Sequence, residues 1–154
     1  MDISPAHLAA RNTAARNPAN QASLDLLASA TADRSTLALY ATAKPTPGDP
    51  PGGAALVEID LTAAAGTLDS ELFTLALDVP IEGQVTGADP VTGDIPLWGR
   101  LAGPLGAWWA DVTVTVEGGG GEIELAQTGT EEGSPVARLF NGAFCRVISA
   151  VLQG

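Results

Sequence analysis

The chain has 154 residues, 45% of them hydrophobic, with 18 acidic against 7 basic side chains and a net charge of -11. That length suits one domain with a single core that needs no disulfide or metal staples. So negative a balance, without clustered Lys and Arg, argues against nucleic acid or an anionic membrane as partner. One cysteine, Cys145, has no internal partner for a bridge, and one histidine, His7, stands far from it in sequence. Zinc wants several Cys or His ligands, and the scattered acids lack the spacing of a calcium loop, so neither metal nor cofactor is expected. No stretch approaches the roughly 18 apolar residues of a membrane span. The N-terminus also lacks the basic start and apolar run of a secretory signal.

In chain order, residues 1–18 are rich in Ala, Asn and Arg and predict a flexible, extended N-terminal arm. Residues 19–154 are then a single β-sandwich domain that includes a short helix. The charges divide the same way: Asp2, Asp25 and Asp33 balance Arg11, Arg16 and Arg34. The remaining 15 of the 18 acids face only Lys44, Arg100, Arg138 and Arg146. Leu24, Leu27 and Ala28 fall at i, i+3 and i+4, which predicts a helix from about Ala19 to Ala30. Its apolar stripe is too narrow to stand alone.

From Thr36 onward the hydrophobic period becomes two. Leu37, Leu39 and Ala41 share a face, as do Val57, Ile59 and Leu61, and as do Phe73, Leu75, Leu77 and Val79. Further runs at Ile81–Thr86, Ile95–Leu101, Ala107–Val116, Glu122–Gln127 and Ala143–Leu152 bring the count to about eight strands. With Gly and Pro turns between them, these predict an all-β, antiparallel, jelly-roll-like sandwich. EGGGGE, between the last-named Val116 and Glu122 runs, reads as a hairpin connection. It lacks the Lys and the Ser or Thr that a phosphate cradle requires.

Catalysis finds no footing in these residues. A nucleophile needs a positioned base, and the lone histidine lies in the arm, so the chain is not expected to be an enzyme. Glu58, Asp60, Glu122 and Glu124 alternate on outer strand faces, which is the ordinary dress of a solvated sheet rather than a paired-carboxylate hydrolase site. Cys145 reads as a small buried hydrophobe.

The tryptophans carry more. By alternation Trp108 falls in phase with Val112, Val114 and Val116 on a core face, and Trp109 in phase with Asp111 and Thr113 on the polar face. Trp109 is then either covered by its own chain or a contact for a partner. Trp98 shares a face with Arg100, the Trp and Arg pairing common in interfaces.

The order of features resembles a family of short bacteriophage structural proteins. An Ala-rich start with DLLASA comes first, then Leu39 and Tyr40 followed by Pro45 and Pro47, Leu56 and Val57, Trp98, Asp111 and Val112, and a last strand introduced by a glycine turn, Gly142 through Val147. The resemblance spans about Leu24 to the end. The chain departs from the pattern in its GPLGAWW segment and its longer polar arm.

The resemblance implies a virion protein, made in the host cytoplasm, that decorates or cements the capsid surface. It would bind the major capsid protein or other virion subunits and form homo-oligomers. A tail or head–tail component and a carbohydrate-binding β-sandwich module are the alternatives. The candidate partner-binding residues are His7, Arg11 and Arg16 in the arm and Trp98, Arg100 and Trp109 on the strands.

Overall fold

The computed structural model describes residues 4–153, apart from the side chains at 7–11 and 13. Its helix, α1 (Pro5–Asp25), opens with a proline in the first turn, where the missing N–H is not needed, and runs on through alanines. It begins earlier and ends sooner than the apolar spacing predicts. The described part of the region read as an extended arm is helical, and the residues after Asp25 turn instead of continuing the helix. Alanine's propensity accounts for the earlier start, which an apolar stripe cannot report.

The C-terminal part of α1 is anchored to the sheet. Asn20 and Leu24 are buried. The Asn17 and Asn20 amides donate to the carbonyls of Ser70 and Phe73, each at 3.2 Å. The Arg16 guanidinium lies 4.4 Å from the Phe73 ring centroid.

The strands are β1 (Thr36–Tyr40), β2 (Val57–Asp60), β3 (Gly66–Asp69), β4 (Thr74–Leu77), β5 (Ile81–Gln84), β6 (Trp98–Ala102), β7 (Trp108–Val116), β8 (Ile123–Leu125), β9 (Gly129–Glu131), β10 (Ser134–Val136) and β11 (Phe144–Gln153). All eight predicted runs contain a strand, and the fold is all-β behind one helix. The unpredicted β3, β9 and β10 are short, and β9 and β10 are largely exposed, so no apolar alternation marks them.

The main sheet runs β2-β1-β6-β7-β8-β11-β4-β3, with β5 also paired to β11, and β9 and β10 form a separate ribbon. The sheet curls until β2 meets β5. The N–H groups of Thr86 and Gly87 both reach the Leu56 carbonyl at 3.0 Å. A Cβ on Gly83 would come 2.8 Å from Ile59, so glycine admits this approach. Inside the curl lie Leu37, Leu39, Val57, Ile59, Leu101, Val112, Ile123, Leu125 and Val147, each nearly free of solvent. Each such side chain contributes about 1.5–3 kcal/mol.

One expected connection is overturned. β7 and β8 are parallel, pairing Val114 with Ile123 and Val116 with Leu125, so EGGGGE is not a hairpin. The loop folds back along β7 instead. Gly118 and Gly120 take positive φ of 77° and 75°. A Cβ on Gly119 or Gly121 would press to 2.7 or 2.8 Å against the Thr115 side chain. Four consecutive glycines are what this tight return demands.

Candidate functional site

β6 and β7 carry the three tryptophans and place them in three different environments. On the face of β1 and β6 turned away from the main core, Trp98 stacks on Tyr40 with ring centroids 4.5 Å apart and planes 15° apart. The proline-rich loop after β1 lies over this pair. The Trp98 indole N–H donates to the Thr42 carbonyl at 2.9 Å. The Arg100 guanidinium sits 5.5 Å from the Trp98 ring centroid and donates to the Asp49 carbonyl at 2.9 Å. Arg100 also grips Asp111 with two bonds, at 2.7 and 2.9 Å.

The electrostatics follow from this closure. Burial by itself would raise the Asp111 pKa, but hydrogen bonds from Arg100 and Trp108 and the charges of Arg100 and Lys44 outweigh it and hold the carboxyl below its ordinary value. The bond to Asp111 pushes Arg100 upward. Desolvation, then the charge of Glu58, raises Tyr40. Trp98 and Arg100 do share a face, as the alternation predicts. Trp98 is nevertheless only 1% exposed, so its ring offers no surface to a partner.

The next two tryptophans reverse the phase read from alternation. Ala102 pairs with Trp108 and Leu101 with Ala110, leaving Trp109 as the extra residue of a β-bulge. One inserted residue turns everything before it to the other face. Trp109 therefore packs against the main core, and its indole N–H donates to the Ser23 carbonyl of α1 at 2.9 Å. Trp108, expected in the core, is 47% exposed, with its N–H 3.2 Å from the Asp111 carboxylate.

The surface at Trp108 mixes apolar side chains with carboxylates. Leu26, just past α1, is 66% exposed, and Leu105, on the turn leading into β7, is 88% exposed with a positive φ of 66°. Trp108 and Leu26 border a groove of about 400 Å³ that Trp109, Asp111, Val112, Glu122, Leu152 and Gln153 also line. Its lining sets two tryptophan rings and two leucines beside the carboxylates of Asp111 and Glu122. Trp108 is misplaced by alternation because a bulge is invisible to it, and Leu26 and Gln153 belong to no pattern that marks a site. The available signal is two adjacent tryptophans behind a Gly-Pro turn.

The remaining predicted residues are dispersed. His7 and Arg11 lie on α1, outside the residues whose side chains are described. Arg16 rests on Phe73, remote in sequence from the tryptophan strands. Glu122 and Glu124 hold the glycine loop: the Glu122 carboxylate accepts the Thr113 N–H at 2.7 Å, and Glu124 accepts that of Gly120 at 2.9 Å. Cys145 is buried, and desolvation pushes its thiol up to about 12. Among the described residues no group of three His, Cys, Asp or Glu is placed to hold a metal, and no helix is long and apolar enough to cross a membrane.

No protein-family model, curated protein or solved structure matches this chain. Fold and site define its class no further than an all-β domain behind one N-terminal helix, with a groove of mixed polarity beside β7.

Proposed function

We propose that this protein is a non-enzymatic structural component of a bacteriophage virion, a decoration or cement protein that docks on the major capsid protein lattice and stabilises the head. The observation that carries the reading is the exposed Leu26 and Trp108 that line the groove beside β7. An exposed aromatic residue beside an exposed large aliphatic one has the composition of a protein interface. The resemblance from Leu24 to the last strand supports the virion setting. α1 supports it too, since its described side chains before Asn17 are exposed and give a neighbouring subunit a helix to cover. Its basic Arg11 and Arg16 complement an otherwise acidic chain, which favours association between copies. A glycan-binding role would rest on Trp108 alone, because Trp98 is buried and Trp109 lies under α1.

Quantitative mass spectrometry of purified particles tests the proposal, with the copy number of this chain referred to that of the major capsid protein. A ratio near one or a simple fraction is expected. A handful of copies would move the protein to the tail or head–tail junction, and absence from the particle would overturn the virion role.

A further inference from the structure

β7 has nine residues and β11 ten, but β8, the strand between them, has three. β8 pairs with β7 only from Val114 to Val116 and with β11 only from Val147 to Ala150. Beyond Glu122 the two long strands continue with no described strand between them.

The alternation of backbone groups identifies what faces this gap. The Thr113 N–H points to the Glu122 carboxylate at 2.7 Å, and the Val151 N–H to the Glu122 carbonyl at 2.9 Å. Two residues further along each strand, the N–H and C=O of Asp111 and of Gln153 therefore face the same space. Paired strands lie about 4.8 Å apart, so β7 and β11 stand about 10 Å apart across β8, and a gap that keeps this spacing has the width of one strand. The groove beside Trp108 occupies this place. Trp109 closes its inner side, Leu152 and Val112 contribute apolar walls, Glu122 stands at its closed end, and no Lys or Arg lines it.

We infer that this gap is a strand-acceptor site, which takes an extended, basic segment of a partner protein that lies end to end with β8 and pairs with both β7 and β11. Two facing edges of free backbone groups recognise an extended chain by its main chain, whatever its sequence. Charge selects among such chains: the groove offers Glu122 and no cation, on a protein of net charge -11. Trp108 at the mouth supplies a ring face for a lysine stem or an apolar side chain. That the partner is a virion subunit rests on the function proposed above. The use of the gap does not, since particle copy number tests the first and peptide protection the second.

The probe is the acetylated, amidated hexapeptide Lys-Val-Lys-Val-Lys-Val, added to the full chain while amide hydrogen exchange is followed by NMR. The amides of Asp111 and Gln153 are expected to slow by about tenfold or more, with paired neighbours unchanged. Gln153→Pro removes one gap-facing N–H at the end of β11. The pairing of Gln153 with Thr74 lies on the opposite edge, so the fold is retained. This variant is expected to weaken the peptide by about tenfold at an unchanged melting temperature. Failure of the peptide to protect Asp111 and Gln153, or protection elsewhere on the surface, would overturn the inference. Protection already present in the free protein and lost on dilution would assign the gap to a second copy of the chain and overturn it equally.

Discussion

Trp98 and Trp108 stand on neighbouring strands, and the chain completes one environment while leaving the other open. Around Trp98 the indole N–H, the Arg100 guanidinium and both Asp111 oxygens find partners within the protein, under a loop that shuts out solvent. Around Trp108 a bulge turns the ring outward beside the exposed Leu26 and a place where the sheet lacks a strand. The two carry similar residues, so composition does not tell a stabilising cluster from a docking surface. Burial does: Trp98 is 1% exposed and Trp108 47%.

That contrast can be broken most forcefully at its closed end. Trp98→Ala removes the largest fully buried side chain and should lower the unfolding free energy by about 3–5 kcal/mol in urea titration. Asp111→Asn should cost about 2–3 kcal/mol, because Arg100, largely buried, is left without a counter-charge. The same pair sets an acid limit. The Asp111 carboxyl is held below its ordinary 3.8, so its stabilisation is fully present above that value and is lost as pH falls below it through the folded-state pKa. The wild-type chain should therefore lose stability more steeply than Asp111→Asn below pH 3.8. At the open end Trp108→Ala should cost less, about 1 kcal/mol, mainly through the lost bond to Asp111. It should nonetheless weaken binding to particles by about tenfold or more, which sharpens the contrast into separate roles.

The parts of this arrangement legible in the sequence are those that obey a period. Leu37, Leu39, Val57, Ile59, Val112 and Val114 alternate, and each lies in the core of the strand it predicts. Trp108 and Trp109 are inverted because a single unpaired residue between Leu101 and Ala102 of the opposite strand resets the phase, and nothing local in WWADV announces it. The glycine loop was legible as a turn but not as a parallel return, since its direction depends on Thr115 beneath it and on the partner of β8. The gap is less legible still, for it arises from a difference in length between three strands distant in sequence. α1 escapes a search for apolar stripes because alanine favours helix without needing a buried face.

Amide exchange across β7 and the end of β11 in the free, dilute protein tests the central claim most directly. An open gap predicts alternation, with Asp111 and Gln153 exchanging fast while Val112 and Leu152, whose N–H groups point to β6 and β4, exchange slowly. Uniform protection through these residues would mean that the sheet is complete there, and would contradict the account.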